Sequence, residues 1–295
     1  MANFIEAQAE AAASVEALLE ALLPRPAGAE ARLFEAMRYA ALGGGKRLRP
    51  LLVLAAADIF SVAHRSAERV AAAIELVHCY SLVHDDLPCM DDDDLRRGKP
   101  TVHKAFGEAL AVLAGDALLT FAFEILAERS THGDPEVRAE LVRGLAMASG
   151  GHGMVGGQVI DLAAEHQVLD LGTITRLQQM KTGALITFAC EAGAILGKAA
   201  EPSRNAIRKY AHDLGLAFQI VDDLLDVEGS VADAGKRVGK DSAAGKATLV
   251  SLLGVEHART QAAMLARQAA MHLEPFGPRA ELLRQIADFV ITRRA

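Results

Sequence analysis

The spacing of apolar residues constrains the fold of this chain more than any other feature of its sequence. Over most of the 295 residues, apolar side chains recur at intervals of three and four, as in Val70, Ile74 and Val77, and no run alternates polar and apolar residues. Intervals of three and four place side chains on one face of an α-helix, whereas strict alternation is typical of a strand. The pattern therefore predicts an all-α protein of about ten or more helices.

Composition and chain breaks support this prediction. Aromatic residues make up only 4% of the chain and Trp is absent, whereas sheets favour aromatic and β-branched residues. Glycine and proline interrupt the helical pattern at several points, but no break is a long polar linker of low complexity. We therefore expect residues 1–295 to form a single domain with a sizeable core.

Several features predict a soluble, cytoplasmic protein. The three cysteines are an odd number without metal-type spacing, as is typical of reduced thiols, and no basic leader precedes an apolar run at the N-terminus. The most apolar stretch, 109–127, is interrupted by Asp116 and Thr120, and we expect a buried helix there instead of a membrane span. The net charge of −7 argues against broad nucleic-acid binding.

A first acidic cluster places six carboxylates within ten residues. Its members are Asp85, Asp86, Asp91, Asp92, Asp93 and Asp94. An acidic run is usually a solvated loop. This one directly follows a strongly apolar helical segment, 70–83, so Asp85 and Asp86 are expected at the end of a core helix. Carboxylates this crowded require cations.

A second acidic cluster, Asp222, Asp223 and Asp226, lies far along the chain. Asp222 and Asp226 share a helix face, which Gln219 joins. The apolar flanking residues indicate a largely buried helix, where unpaired carboxylates are strongly penalised. Oxygen ligands with few His or Cys nearby suit Mg²⁺, which usually binds a few carboxylates together with substrate phosphate oxygens. We therefore expect both clusters to share one ligand.

Basic residues occur in complementary positions. Lys46 and Arg49, in GGGKRLRP, open a predicted helix, where the backbone amides and the macrodipole also favour an anion. Lys46 is followed by Arg47 instead of Ser or Thr, so the segment is not a Walker loop. Further candidate phosphate donors are Lys181, Thr182, Lys236, Lys240 and Lys246. Single lysines are usually surface charges, but their occurrence alongside two acidic clusters favours phosphate binding.

Successive segments of the chain resemble, in order, the motifs of the trans-isoprenyl diphosphate synthase family. These segments are GGGKRLRP, HDDLPCMDDDDLRRGKPTVH, GGQVIDL, MKTGALI, FQIVDDLLD and GKRVGKDSAAGKAT. The resemblance covers almost the whole chain, and the two aspartate motifs together are highly specific. It implies the isoprenoid synthase fold, a bundle of long helices around a deep cavity, and a homodimer.

The resemblance implies a prenyltransferase that joins isopentenyl diphosphate head-to-tail to an allylic diphosphate, dimethylallyl or geranyl. It implies that Mg²⁺, three ions with diphosphate bound, is held by Asp85, Asp91 and Asp222. It implies that the allylic diphosphate contacts Arg96, Lys181, Lys236 and Lys246. It implies that the second diphosphate contacts Lys46, Arg49, His78 and Arg97. Thr182 and Gln219 would line the path of the carbocation with oxygen dipoles, and the departing diphosphate would accept the proton, so no separate catalytic base is expected.

The resemblance also bears on product length, because it places the floor of the cavity at Tyr80 and Ser81. Periodicity alone puts Ser81 on the face of Asp85, so the assignment of Tyr80 depends on the resemblance. An aromatic ring there would block a longer tail, which makes farnesyl diphosphate the expected product and geranylgeranyl diphosphate the alternative. Tyr80 as an ordinary core aromatic is the competing interpretation.

Two other functions are weaker alternatives. A catalytically silent subunit that partners an active synthase would have no need to keep both acidic clusters. A terpene cyclase would not need the second diphosphate site that Lys46, Arg49 and Arg97 imply.

Overall fold

The computed structural model describes residues 2–164, 169–228 and 249–293, and these residues are predominantly helical, as predicted. The helices are α1 (Ala2–Leu22), α2 (Ala31–Ala41), α3 (Leu48–Ile59), α4 (His64–Asp85), α5 (Val102–Phe106), α6 (Glu108–Ala127), α7 (Pro135–Ser149), α8 (Met154–Ala164), α9 (Leu171–Gln178), α10 (Ala184–Leu196), α11 (Glu201–Glu228), α12 (Leu249–Leu253), α13 (Val255–His272) and α14 (Glu281–Thr292). A π-helical turn, Gln179–Gly183, joins α9 to α10, and a 3₁₀ segment, Glu274–Ala280, joins α13 to α14. Two short antiparallel strands, β1 (Leu95–Arg96) and β2 (Lys99–Pro100), follow the first acidic cluster.

The core is built around α10, whose residues are nearly all buried. Helices α3, α4, α7 and α11 pack against it. Gly193 permits the close approach of α3, because a Cβ at this position would lie 2.5 Å from the backbone nitrogen of Ala57. The buried apolar side chains form one cluster that extends from Phe4 to Val290. The two helices that carry the acidic clusters, α4 and α11, are therefore anchored on the same central element.

Local sequence determines where two of the helices begin. Helix α7 starts at Pro135, which has no amide to satisfy, and Asp134 accepts a hydrogen bond from the Glu136 backbone N–H at 2.9 Å. Helix α3 starts directly after Arg47, whose left-handed backbone (φ 47°) turns the chain into the helix. The turn at Arg47 lies within the GGGKRLRP segment and leads that segment into α3.

Helix α6 differs from the prediction of a buried helix over 109–127. Only one face is buried: Val112 and Leu113 are 41% and 53% exposed, and Asp116 and Thr120 are also exposed. Among the described helices, α6 is long and apolar enough, by length and composition alone, to cross a membrane, and 39% of its most apolar window is buried. Apolar spacing predicts the helix but not what covers its second face, since a core, a lipid phase and a partner subunit all select apolar residues.

Candidate active site

The first acidic cluster folds back over the end of α4. Asp85 is the last residue of the helix, and the Asp91 backbone N–H donates to the Asp85 carbonyl oxygen at 2.8 Å. Asp86 is buried and accepts a hydrogen bond from Arg96 Nε at 3.0 Å, and Arg96 Nη2 lies 3.7 Å from Asp93 Oδ2. Arg96, a predicted diphosphate donor, is thus engaged by carboxylates of its own loop in this structure.

The surroundings of the Asp85 carboxyl disfavour its ionised form. Burial raises the pKa of its carboxyl to about 6; Lys181 and Arg96 oppose this shift, and Asp91 and Asp86 add to it. Burial likewise raises the pKa of Asp86. Carboxyls perturbed by burial and by like charges are typical of functional sites, where a bound cation removes the penalty.

The second acidic cluster, on α11, includes a buried carboxylate, Asp223, and a more accessible one, Asp222. Asp223 is buried and accepts hydrogen bonds from Gln178 Nε2 at 3.0 Å and from Gln219 Nε2 at 3.1 Å. Asp222, whose side chain is 43% exposed, accepts a hydrogen bond from Arg293 Nη2 at 2.7 Å. Of these two carboxylates, Asp222 is the one with room for a ligand.

The π-helical turn Gln179–Gly183 connects the two clusters. Thr182 Oγ1 donates to Gln219 Oε1 at 2.9 Å, which ties the turn to α11, and the charge of Lys181 acts on Asp85 at the end of α4. Lys181 Nζ itself donates to Asp161 Oδ2 on α8 at 2.6 Å. Single π-turns inside helices are frequent at functional sites. This turn places an ammonium and a hydroxyl between helices that carry carboxylates.

These donors fit Mg²⁺. In residues 2–164, 169–228 and 249–293, no three acidic, His or Cys side chains are grouped closely enough to hold a metal ion by themselves. Mg²⁺ usually binds one or two carboxylates and completes its shell with water and substrate phosphate oxygens. The buried Asp85 carboxyl, crowded by Asp86 and Asp91, suits a metal site that a diphosphate completes.

A cavity of about 480 Å³ is lined in part by Glu75 and His78 of α4, and it is cationic. Its lining includes the predicted residues Lys46, Arg49, His78 and Arg97 together with Gln8, Gly45, Arg47, Leu48, Glu75, Ile186, Phe218, Phe289 and Arg293. Burial lowers the pKa of both Lys46 and Arg49. Burial and the neighbouring Arg49 and Arg97 also hold the pKa of His78 well below its usual range, so its imidazole is neutral. Such a cavity favours an anion.

A buried ion pair holds the loop that carries Lys46. Arg47 Nη1 donates to Glu75 Oε1 at 2.7 Å, and Arg47 Nη2 donates to the Ala41 carbonyl oxygen at 2.7 Å. Both charged side chains are almost fully buried. Arg97 reaches the same loop and donates to the Gly44 carbonyl oxygen. Arg47 therefore anchors the loop that presents Lys46, while its own guanidinium is used internally.

The two predicted product-length residues lie on α4 one turn before Asp85. Tyr80 is 6% exposed and packs edge-on against His84, with 5.6 Å between ring centroids. Ser81 Oγ donates to the His78 carbonyl oxygen of its own helix at 2.9 Å. Burial, followed by the charge of Asp85, raises the pKa of Tyr80. The ring of Tyr80 is thus buried on the face of α4 that carries His84, and its role in product length stays a prediction.

Two residues of the site were not predicted from the sequence, and three predicted lysines lie outside the residues that the structure describes. Lys236, Lys240 and Lys246 fall outside the described residues. Arg293 and Asp161 were not predicted: Arg293 belongs to no recognised motif, whereas Asp161 is the acidic residue of GGQVIDL and could have been proposed as a partner for a cation. Their positions at the site are evident only from the ion pairs that they form with residues of other helices or turns.

Comparisons with known proteins identify relatives that match most of this chain. Residues 30–274 match the polyprenyl synthetase family. The chain is 48% identical over 269 residues to the farnesyl diphosphate synthase of Escherichia coli (strain K12), a match that covers 88% of each chain. It is 44% identical over 265 residues to a chloroplastic geranylgeranyl pyrophosphate synthase of Catharanthus roseus, covering 89% of this chain and 74% of that protein.

The fold is also that of a solved structure. The crystal structure of an FPP/GFPP synthase from Zymomonas mobilis, without ligand, superposes with a TM-score of 0.91 at 54% sequence identity and covers 99% of each chain. The geranyltransferase of Legionella pneumophila superposes with a TM-score of 0.88 at 33% identity, covering 99% of this chain and 97% of the other. On sequence and structure together, this chain belongs to the polyprenyl synthetase family.

Proposed function

We propose that this chain is a prenyltransferase of the farnesyl diphosphate synthase type, which condenses isopentenyl diphosphate with dimethylallyl and geranyl diphosphates. The observation that carries the proposal is the presence of two different anion sites beside α4. One combines Lys181 with the buried carboxyl of Asp85, and the other is the cationic cavity that contains Lys46 and Arg49. A condensation of two diphosphates needs two such sites, whereas a hydrolase or a cyclase needs one.

In this proposal the acidic site takes the allylic diphosphate. Asp85, Asp91 and Asp222 would hold Mg²⁺, which when bound supplies Lewis-acid stabilisation of the charge that develops on the departing diphosphate. Lys181 donates to the same diphosphate, and Arg96 would do so by exchanging Asp86 for phosphate oxygens. Lys236 and Lys246, outside the described residues, are proposed with this site from the motif resemblance alone.

The cationic cavity takes the isopentenyl diphosphate. Arg49 and Arg97 offer planar, two-pronged donors that match phosphate oxygens, and Lys46 adds a point charge. His78, held neutral, supplies a hydrogen-bond donor without adding a further charge to a crowded group of cations. Of the acidic residues near this cavity, Glu75 is already paired with Arg47, which leaves the cavity attractive to an anion.

The reaction separates charge and must be shielded from water. The allylic C–O bond breaks, the double bond of isopentenyl diphosphate attacks the cation to form a C–C bond, and the departing diphosphate takes the proton that is released. Thr182 and Gln219 present oxygen dipoles toward the cation, and their mutual hydrogen bond holds them in place. Apolar side chains such as Ile186 and Phe218 exclude water that would quench the cation.

Assay of the product tests the proposal directly. The purified chain is incubated with Mg²⁺, isopentenyl diphosphate and either dimethylallyl or geranyl diphosphate, and the dephosphorylated products are separated by chromatography. Farnesol is the expected main product. Geranylgeraniol as the main product would establish the alternative, and no product from either starter would contradict the proposal and favour a non-catalytic subunit.

A homodimer in the cytoplasm is part of the same proposal, with residues 1–295 acting as one domain. The exposed Val112 and Leu113 of α6 form an apolar face that a second copy would cover, and the charged Asp116 and Glu124 on that helix argue against lipid as the covering phase. Sedimentation velocity of the wild type and of Leu113→Glu tests this. We expect a dimer that the substitution weakens; a monomeric wild type would contradict it.

A further inference from the structure

Helix α8 contacts both the side chain and the backbone of Lys181. At the side-chain end, Lys181 Nζ donates to Asp161 Oδ2 at 2.6 Å, and the two side chains are only 29% and 13% exposed. At the backbone end, Gly157 lies against the π-helical turn, because a Cβ on Gly157 would lie 2.3 Å from the Lys181 backbone nitrogen and 2.7 Å from its Cα. Gly157 and Asp161 are four residues apart, so one face of α8 makes both contacts.

The π-helical turn needs such support. A π-turn is rarer than the α-helix on either side, and here its other flank is held to α11 by two side-chain hydrogen bonds, one between Thr182 and Gln219 and one between Gln179 and His212. The adjoining Gly156 lets Met180 approach in the same way, since a Cβ there would lie 2.7 Å from Met180 Cε. The other α8 contacts differ from the hydrogen bonds to α11 in that Lys181 itself makes them, through its ammonium and its backbone.

Lys181 has a competing partner in Asp85. The ammonium lies within electrostatic range of Asp85, a half-buried carboxyl at the end of α4. A direct Lys181–Asp85 ion pair would relieve the burial penalty of the carboxylate. It would also remove one proposed metal ligand and one proposed diphosphate donor at the same time.

We propose that Asp161 and Gly157 of α8 are positioning residues that hold the Lys181 ammonium apart from Asp85, so that both remain available to the diphosphate. This inference rests on the proposed function, and it extends that function to two residues that do not themselves touch the substrate. Asp161 supplies the counter-charge, and Gly157 supplies the space that lets the backbone of the turn approach α8.

Asp161→Ala, Asp161→Asn and Gly157→Ala test the proposal. We expect Asp161→Ala to weaken binding of inorganic pyrophosphate with Mg²⁺, measured by calorimetry, by about tenfold, the usual size of an effect on a supporting partner. The KM for geranyl diphosphate and the half-saturating Mg²⁺ concentration should rise in parallel, while the KM for isopentenyl diphosphate stays within about twofold of the wild type. The pyrophosphate affinity of Asp161→Asn should lie between those of the wild type and Asp161→Ala. Asp161→Glu should keep most of the wild-type affinity.

Matched controls lie in α7 and just before it. Glu140→Gln removes an ion pair with Arg204, and Gly133→Ala adds a methyl group where nothing lies within 4 Å. Neither should change the affinity for pyrophosphate. If Asp161→Ala and Gly157→Ala also leave that affinity unchanged, the positioning role is refuted.

A double variant separates positioning from general damage to the fold. If Asp161 acts through Lys181, then adding Asp161→Ala to Lys181→Met should weaken pyrophosphate binding little beyond Lys181→Met alone. A full additional loss would overturn the proposal. Because the pyrophosphate measurement needs no turnover, it tests the role of α8 even if the wild type yields no prenyl product, an outcome that would contradict only the proposed function.

Discussion

Arg293 Nη2 lies 2.7 Å from Asp222 Oδ1, and this ion pair ties the end of α14 to the second acidic cluster. The same nitrogen donates to the Phe218 carbonyl oxygen at 3.0 Å, and the guanidinium lies 3.9 Å from the centre of the Phe218 ring. The Arg293 side chain is only 6% exposed and also lines the cationic cavity next to Lys46. One residue thus contacts both proposed diphosphate sites.

Arg293→Ala should lower the free energy of unfolding by about 1–3 kcal/mol, because it removes a mostly buried charged hydrogen bond and a cation–π contact. Urea unfolding measures the change. Arg259→Ala is the matched control, since Arg259 also pairs with an acidic residue of α11, Glu228, but is 56% exposed. That loss should be below about 1 kcal/mol. Equal losses would show that burial of Arg293 contributes nothing.

Asp85→Ala and Asp222→Ala should each reduce kcat/KM for geranyl diphosphate by orders of magnitude, because each removes a proposed metal ligand. Steady-state assays at saturating Mg²⁺ measure the effect. Glu228→Gln, on the same helix as Asp222 but in a surface ion pair, is the control and should retain activity. Near-normal rates for either aspartate variant would rule out its metal-binding role.

Asp85→Asn should stabilise the metal-free protein at pH 7.5, at the expense of activity. Burial raises the pKa of Asp85 from 3.8 to about 6, so the folded state binds a proton that the unfolded state has released. The ionised carboxylate therefore destabilises the fold progressively as pH rises through this window, by at most about 3 kcal/mol. Urea unfolding should show a smaller advantage of the variant at pH 5 than at pH 7.5. A difference independent of pH would contradict this origin.

Tyr80→Ala should lengthen the product, because it removes the buried ring proposed to close the cavity below the allylic tail. Chromatography of the dephosphorylated products measures the ratio of geranylgeraniol to farnesol. Tyr80→Phe is the control, since it keeps the ring and removes only the hydroxyl, and its product should match that of the wild type. An unchanged product from Tyr80→Ala would identify Tyr80 as an ordinary core aromatic.

Much of the fold follows from short-range patterns. Apolar spacing predicted the helices, because periodicity acts within a few residues. The start of α7 is likewise local, since Asp134 caps the helix and Pro135 begins it. The same spacing gave a wrong prediction at α6, because an apolar face that was expected to be buried is exposed at Val112 and Leu113. The hydrophobicity of a residue does not specify which surface it will contact.

The helical character of the chain, its two acidic clusters, its basic segment and the match of its motifs to one family were all predictable without coordinates. These are properties of residue type and spacing along the chain. Which charged side chains pair across the molecule follows instead from the packing of the helices, as for Lys181 with Asp161 and Arg293 with Asp222. Such pairs join helices or loops that meet only when the core packs, and many oppositely charged partners are equally compatible with the sequence until packing brings particular ones within hydrogen-bonding distance.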